Sequence, residues 1–268
     1  MEHTLHTRAG IGATARIVQH QALEFVRLPI SKPLLVVVHR GSKRLRWNGQ
    51  ECLIRAGEAV AIAAGQAFDV ANLTPDEGSY EASWLAWDLE LTAQYAPANP
   101  HSQAIREAQP LLRLEPAFIT AFDAACAAIS QPDILPSTLA RHRVVELLLW
   151  LAHHGLHFRP PSATLVSARV QKLLASAPDK RWNVPGVAEA LAMSEATLRR
   201  RLAEEDRTFS ELMIDVRMAH ALSLLQSTDR SVTQIALDAG YESASRFAVR
   251  FRKRFGFAPT AVRGHQRV

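Results

Sequence analysis

The feature that most constrains the fold is a short unit in the C-terminal part of the chain that occurs twice. In the first half of the unit, three apolar residues align at an offset of 48 residues: Val187, Ala188 and Leu191 with Ile235, Ala236 and Ala239. After one inserted residue, a serine, two large apolar residues and an arginine align at an offset of 49: Ser194, Leu198, Arg201 and Leu202 with Ser243, Phe247, Arg250 and Phe251. Such self-similarity indicates that one supersecondary unit is used twice.

Each copy has the pattern of two helices joined by a tight turn. In the first copy, "VPGVAEALAM" predicts a helix that begins near Pro185, and "SEATLRRRLAEE" predicts a second helix with Ser194 as N-cap. In the second copy, "SVTQIALDAGYE" starts at Ser231 and breaks at Gly240, and "SASRFAVRFRKRF" restarts with Ser243 as N-cap. This is the plan of the DNA-binding helix-turn-helix motif.

The second helix of each copy has an apolar face and an opposite face of small and basic residues. At about 100° per residue, Phe247, Phe251 and Phe255 form one stripe, which predicts core rather than a base-stacking surface. Leu198 and Leu202 take the same side in the first copy. The outward residues are Ala196, Arg199 and Arg200 in the first copy and Ser245, Arg246, Val249 and Lys253 in the second. Such residues can enter a major groove, where arginine pairs with guanine and an alkyl group contacts a thymine methyl.

A solvated basic face is the alternative interpretation of each helix, and the charge distribution bears on it. Residues 165–268 contain 17 Lys and Arg against 11 Asp and Glu, whereas residues 1–164 contain 14 against 15. A positive excess in one region is typical of a module that binds phosphates. The repetition of the basic face in both copies favours DNA contact.

Residues 209–226, between the copies, predict a long helix. Its apolar residues lie on one side: Phe209, Leu212, Val216, Ala219, Leu222 and Leu225. An 18-residue helix spans roughly 27 Å, the same order as the ~34 Å repeat of B-DNA. One polypeptide could therefore place two helices in adjacent major grooves.

The N-terminal part has a different pattern. Short β-like runs separated by turn residues extend from about 15 to 95 and predict an antiparallel barrel or sandwich, with Asn48-Gly49 as a two-residue hairpin turn. Helical spacing follows over about 100–157, in "SQAIREAQPLLRL", "PAFITAFDAACAAIS" and "PSTLARHRVVELLLWLAHHG", with Pro116 and Pro136 in first turns. The fold class is thus α+β, with a domain over 1–158, a linker over 159–164 and an all-α domain over 165–268.

The stretch from Val187 to Arg263 resembles the AraC/XylS family of bacterial transcription regulators. The resemblance lies in "LAMSEATLRRRL", "RMAHALSLLQSTDRSVTQIALDAGYESASRF" and "FGFAPTAVR". It implies a seven-helix domain in which a long helix joins two helix-turn-helix units. It also implies binding to double-stranded promoter DNA and activation of transcription through contact with RNA polymerase.

The resemblance also implies which side chains meet DNA. Base-reading positions would be Ala196, Arg199 and Arg200 in the first unit and Ala244, Ser245, Arg246 and Val249 in the second. Many relatives have arginine where this chain has Val249, a departure that shifts guanine recognition towards Arg199 and Arg200. The remaining cations are interpreted as phosphate contacts or interhelical pairs: Arg201, Arg250, Arg252, Lys253 and Arg254.

The order of parts resembles the subgroup in which an N-terminal cupin-like barrel senses an effector and the following helices dimerise. "RAGEAVAIAAGQAFDVAN" is similar to the second cupin motif, but Phe68 stands at the position of its metal-binding histidine. "VVVHRGSKRLRWNG" offers only His39 for the first motif. Since a metal centre needs three or four ligands, we expect no metal, no cofactor and no enzyme activity, and the barrel is either an apolar pocket or a packed core.

If the barrel holds an effector, its strand aromatics are the candidate lining: Phe25, Trp47, Phe68, Trp84 and Trp87. Ordinary core is the equal alternative for each. Some relatives of similar length bind fatty acids through basic residues near the barrel mouth, and Arg27 and Lys32 are the candidates here.

Three further expectations concern assembly and location. The helix over residues 136–154 is apolar on nearly all sides near Leu147 to Leu151, which predicts burial or a homodimer. The sequence contains no run of about 18 uncharged apolar residues, so it predicts no membrane span. The start lacks the basic-then-apolar pattern of a secretory signal. We therefore expect a reduced cytoplasmic protein with Cys52 and Cys126 buried. Two rival functions remain, a cupin-type enzyme with a helical appendage and a non-specific architectural DNA binder.

Overall fold

The protein was analysed as a computed structural model that describes residues 5–95, 102–159 and 165–263, apart from the side chains of Gln226, Ser227 and Arg263. The chain divides into two compact units, Met1–Pro161 and Ser162–Val268. Of the predicted linker, all residues after Arg159 lie outside the described ranges.

The N-terminal unit is built mainly from short antiparallel strands. In the described residues these are β1 His6–Arg8, β2 Gly12–Gln19, β3 Leu23–Ile30, β4 Leu34–Arg40, β5 Ser42–Trp47, β6 Gln50–Arg55, β7 Ala59–Ile62, β8 Gln66–Leu73, β9 Tyr80–Trp87, β10 Gln103–Ile105, β11 Ala108–Leu111 and β12 Leu156–Phe158. One sheet has the order β1-β2-β9-β4-β7-β11 and a second has the order β3-β8-β5-β6. The antiparallel β architecture is confirmed, and within the described residues the strands form these separate sheets rather than one closed ring.

Three helices follow or interrupt the strands: α1 Leu89–Gln94, α2 Pro116–Ser130 and α3 Ser137–His153. They pack on one face of the six-stranded sheet, because alternate residues of its strands, such as Leu35 and Leu85, share a buried cluster with Phe122 and Leu147. Pro116 is in the first turn of α2, as predicted. Pro136 is instead the residue that precedes α3.

The predicted helix "SQAIREAQPLLRL" is wrong, since this segment forms β10 and β11. β10 pairs in parallel with β12, and β11 pairs antiparallel with β7 at the edge of the large sheet. Pro110 interrupts a helix but is tolerated on an edge strand, because an edge strand leaves one row of N–H groups unpaired. The hairpin prediction is confirmed: β5 and β6 are joined by Asn48 and Gly49, with φ of 45° and 76°.

The C-terminal unit is all helical in the described residues. Its helices are α4 Val166–Ser176, α5 Val184–Ala190, α6 Glu195–Glu204, α7 Phe209–Ser227, α8 Val232–Asp238, α9 Ala244–Phe255 and a 3₁₀ helix Pro259–Arg263. These seven helical segments match the plan of two helix-turn-helix units joined by one long helix. The first unit consists of α5 and α6, and the second of α8 and α9.

Side-chain caps define where these helices begin. The Ser194 hydroxyl accepts from the Thr197 N–H, and the Ser243 hydroxyl accepts from the Arg246 N–H, each at 3.2 Å. Both predicted N-caps are confirmed. The structure adds a capping box at the start of α7, in which Thr208 and Glu211 cap each other's backbone N–H. No helix in the described residues has the length and apolar character needed to cross a membrane.

Candidate nucleic-acid interface

The two helices α6 and α9, called here the reading helices, rest on a buried apolar base. Leu198 and Leu202 are buried under α6. Under α9, Phe247, Phe251 and Phe255 are fully buried, with successive ring centroids 5.4 and 4.6 Å apart. The rings therefore hold the second unit together and are unavailable for stacking on bases.

The outward face of α6 presents the predicted residues to solvent. Ala196, Arg199 and Arg200 are exposed. The Arg200 guanidinium lies 2.8 Å from the Glu204 carboxylate, and Arg199 lies 3.8 Å from Glu195. Exposed pairs one helical turn apart are weak, so both arginines are free to exchange the carboxylate for a base edge.

The outward face of α9 has a similar arrangement with fewer acidic neighbours. Ser245, Arg246 and Val249 are exposed, Val249 at 66%, while Ala244 is half-buried. The exposed Val249 side chain is available to contact a thymine methyl group.

Four of the five predicted phosphate contacts are exposed: Arg201, Arg250, Arg252 and Lys253. Within the described part of the chain, none of these four forms an ion pair with an acidic side chain. Arg254 requires a correction. Its side chain is only 13% exposed and lies 2.9 Å from the Asp215 carboxylate, so it is an interhelical pair within the fold rather than a phosphate contact.

Helix α7 holds both units through two charged residues that the sequence analysis missed. The Asp215 carboxylate contacts Arg207 at 2.8 Å as well as Arg254. The Arg217 guanidinium donates to the carbonyl oxygens of three residues outside α7: Pro178, Lys180 and Gly240. The available signal was the presence of two charges in the middle of a helix that is otherwise mostly apolar.

The predicted effector-pocket residues do not converge on one site. Phe25 and Phe68 are buried in the second sheet, where Trp47 packs edge-on to Phe68 with 5.4 Å between centroids. Trp87 is a correction, because it lies on the helix-covered face of the large sheet, where its Nε1 donates to the Val144 carbonyl at 3.0 Å. Trp84, three residues earlier on β9, points to the opposite face of that sheet.

The two predicted carboxylate-binding cations also have other surroundings. Lys32 is paired with Asp88. Arg27 is exposed at an irregularity of β3, where its backbone N–H donates to the Asp69 carboxylate at 2.8 Å.

Lys43, which was not among the residues predicted from the sequence, is buried in the N-terminal unit. The Lys43 Nζ donates to the Asn72 side-chain oxygen at 2.6 Å, and Asn72 in turn donates to Gln19 at 2.8 Å. Burial lowers the pKa of Lys43 to about 7. The Tyr80 ring lies 5.6 Å from this amine, and burial raises the pKa of the Tyr80 hydroxyl.

The histidines and cysteines form no reactive centre in the described residues. His153 is the last residue of α3, His154 follows it, and His157 is on strand β12. No group of three potential metal ligands is found among the described side chains. Cys52 and Cys126 are free and half-buried, and burial raises the pKa of their thiols to about 11 and about 12.

Two helix-turn-helix units with a buried base and exposed small and basic faces define the C-terminal unit as a double helix-turn-helix DNA-binding domain. A family model described as "Helix-turn-helix domain" matches residues 187–265. The regulator YdeO of Escherichia coli strain K12 is 37% identical over 97 residues, which are 36% of this chain and 38% of YdeO. The transcriptional activator PerA of Escherichia coli O127:H6 is 30% identical over 103 residues, 38% of each chain. The residues from Val187 onwards thus form an AraC-type domain, as the sequence resemblance predicted.

The aligned region spans little more than a third of the length of these relatives, so they describe the C-terminal unit alone. The fold of the whole chain is similar to that of ToxT from Vibrio cholerae, in a structure described as bound to an unsaturated fatty acid. The TM-score is 0.67 at 14% identity, and the match covers 97% of this chain and 95% of ToxT. At that identity the likeness concerns the fold.

Proposed function

We propose that this chain is a sequence-specific, DNA-binding transcription regulator of the AraC/XylS type that activates promoters. The observation that carries the proposal is the paired arrangement of α6 and α9. Each has a fully buried apolar side and an exposed side made of small and basic residues. In this role each reading helix enters a major groove, and Arg199 and Arg200 make the guanine contacts.

The activator role and the polymerase contact come from the relatives. PerA is named a transcriptional activator, and activators of this type act with RNA polymerase at promoter DNA. A regulator bound to promoter DNA acts in the cytoplasm of a bacterium. The relatives are named regulators rather than enzymes, which disfavours the cupin-type enzyme.

Selection from a library of random duplexes with the purified full chain tests the proposal. A sequence-specific regulator enriches a site with two short blocks about one helical turn apart. Enrichment of no sequence, together with equal affinity for unrelated duplexes, would identify the non-specific architectural binder instead.

Variants locate the base contact within the selected site. Arg200→Ala is expected to lower affinity about 5- to 150-fold and to relax preference at one base pair, since a bidentate contact is worth roughly 1–3 kcal/mol. Lys172→Ala, which removes one positive charge from the exposed face of α4, is the control and should keep the wild-type base preferences. Uniform weakening of Arg200→Ala on all sequences would assign Arg200 to a phosphate.

For the N-terminal unit, we propose that it senses a small fatty-acid-like effector. The fold likeness to ToxT, which was crystallised with an unsaturated fatty acid, supports this. Oleate is a suitable probe: saturating oleate should raise the melting temperature of the full chain and change its affinity for the selected duplex. No change in either quantity would remove the effector proposal and leave DNA binding intact.

We also propose that the chain forms a homodimer through residues 136–154. Leu139 and Leu149 of α3 are 51% and 58% exposed. A shallow cleft of about 290 Å³ beside Leu149 is lined by Glu146, Trp150 and His153. Sedimentation of the full chain should show dimer at tens of micromolar, and Leu149→Glu should give monomer. A wild-type chain that stays monomeric at that concentration contradicts the proposal.

A further inference from the structure

The ends of the two reading helices meet on one carboxylate of the long helix α7. Asp215 lies 2.8 Å from Arg207 through one carboxylate oxygen and 2.9 Å from Arg254 through the other. Arg254 is in the last turn of α9. Arg207 follows α6, and its backbone N–H donates to the Leu202 carbonyl of α6 at 2.9 Å. Asp215 therefore links the C-terminal ends of α6 and α9.

Arg217 makes a second link at a different place. Its Nε and Nη2 donate to the Pro178 and Lys180 carbonyls at 3.1 Å each, just before α5, and its Nη1 donates to the Gly240 carbonyl at 2.9 Å. Gly240 is in the turn between α8 and α9. Arg217 thus joins the entrance of the first helix-turn-helix unit to the turn of the second.

The two links lie on different sides of α7, and the link through Asp215 is largely shielded from solvent. Residues two apart on a helix are separated by about 200° around its axis, so Asp215 and Arg217 hold α7 from nearly opposite sides. The side chains of Asp215, Arg207 and Arg254 are 16%, 31% and 13% exposed. Hydrogen bonds in which one partner is charged are shorter and stronger than neutral ones, and both links resist rotation of one unit against the other.

We propose that Asp215 and Arg217 are positioning residues that fix the separation and the rotation of α6 relative to α9. The protein then accepts only one spacing between the two blocks of its DNA site. This rests on the proposed function, because spacing matters only if both helices read the same duplex. It assigns to α7 a part in sequence choice that no base contact supplies.

The test uses the full-length chain and the duplex selected by the wild-type protein, with one base pair inserted or deleted between the two blocks. For the wild-type chain we expect either change to lower affinity at least tenfold. For Asp215→Asn, which keeps the size of the side chain and removes its charge, we expect less than a threefold difference between the spacings. Base substitutions in either block should still weaken that variant, which a simply unfolded domain would not show.

Two further variants keep the result interpretable. Arg217→Lys keeps the positive charge but lacks the planar fork that reaches several carbonyls, and it should lose spacing preference in the same way if Asp215→Asn fails to fold. Arg181→Ala is the matched control. Arg181 also bridges towards the second unit, to Glu242 at 2.8 Å, but the side chains are 87% and 68% exposed. It should keep the wild-type spacing preference.

A second measurement without DNA separates this inference from the proposed function. Spin labels at Ala203→Cys on α6 and Lys253→Cys on α9, both exposed positions, report the distance between the reading helices after Cys52 and Cys126 are replaced by serine. We expect a narrow distribution that broadens in Asp215→Asn. A folded Asp215→Asn or Arg217→Lys chain with unchanged spacing preference, or with an unbroadened distribution, overturns the positioning role. Failure of the wild-type chain to select any sequence overturns the proposed function, while the label distances still decide whether α7 fixes the helices.

Discussion

Arg217 on α7 donates a hydrogen bond of 2.9 Å to the carbonyl oxygen of Gly240, in the turn of the second helix-turn-helix unit. The guanidinium also packs beside Tyr241, 5.8 Å from its ring centroid. The chain turns sharply here with a φ of 76° at Gly240. A Cβ at this position would lie 2.8 Å from the Arg217 guanidinium and 3.0 Å from the Pro178 carbonyl oxygen.

Gly240→Ala is therefore expected to destabilise the second unit by roughly 1–3 kcal/mol, because the left-handed backbone disfavours a side chain and because the Cβ displaces Arg217. Hydrogen exchange of peptides covering α8 and α9 measures the loss. Gly155→Ala is the control for the backbone alone, since its φ is 72° and no atom lies within 4 Å of the added Cβ. Equal local losses at the two positions would mean that the contact with Arg217 contributes nothing.

A substitution in the matching turn of the first unit should have the opposite effect, and stabilise the protein. Ala192 has a φ of 55° at the position that corresponds to Gly240, and it is exposed. Ala192→Gly removes left-handed strain of about 1–2 kcal/mol and loses part of the gain to the greater freedom of glycine when unfolded. We expect a net stabilisation of about 0.5–1 kcal/mol, seen as slower exchange in α5 and α6. Faster exchange would show that Ala192 is not strained.

The helix-turn-helix units could be predicted from the sequence because their signals are local. Ser194 and Ser243 cap helices whose buried and exposed residues follow one period, and both caps form. Arg254 could not be assigned in the same way. It flanks the Phe251 stripe at about 60° around the axis, an angle compatible with solvent, and its partner Asp215 belongs to another helix.

The helix predicted just after residue 100 was wrong for a similar reason, because the partners that decide the structure lie elsewhere in the chain. The segment around Pro110 has apolar spacing compatible with either a helix or a strand. What fixes it as a strand is pairing with β7, for example Ala108 opposite Ile62, and β10 pairs with β12 about 50 residues later in the chain. The sequence could not show which strand aromatics share one face, because residues such as Trp84 and Trp87 alternate between two faces and the sequence does not say which face the helices cover.

Truncation of one phenylalanine in the buried aromatic base of α9 should cause a large loss of stability. Phe251 is fully buried and contacts the rings of Phe247, Phe255 and Phe257. Phe251→Ala should destabilise the second unit by about 3–5 kcal/mol, through lost burial and the cavity left behind. Leu237→Ala, at a residue 51% exposed on α8, is the control and should change stability little. Loss of DNA binding by Phe251→Ala with unchanged exchange protection in α9 would contradict its role as core.

The cations outside the base-reading face should affect affinity rather than sequence choice. Arg252 is exposed on α9 and has no acidic partner among the described side chains. Arg252→Ala is expected to weaken binding by a similar factor on every duplex and to reduce the slope of log K against log salt by about 1. Arg254→Ala should leave that slope closer to the wild-type value, because its side chain is only 13% exposed and is already bound to Asp215. Equal slopes for wild type and Arg252→Ala would exclude a phosphate contact at Arg252.

The buried Lys43 predicts how the stability of the N-terminal unit depends on pH. Its pKa is about 7 in the folded chain against an ordinary value of 10.5, so between these values the unfolded chain binds the extra proton. Stability should therefore rise with pH from about 7 towards 10.5, by at most about 1.4 kcal/mol per unit from this group, and be independent of its titration below that window. Urea unfolding followed by tryptophan fluorescence at pH 7, 8 and 9 measures the slope. Lys43→Met should remove it, whereas Lys32→Met, at the exposed lysine of the same unit, should retain it. A slope that persists in Lys43→Met would assign the pH dependence to another group and leave Lys43 protonated inside the fold.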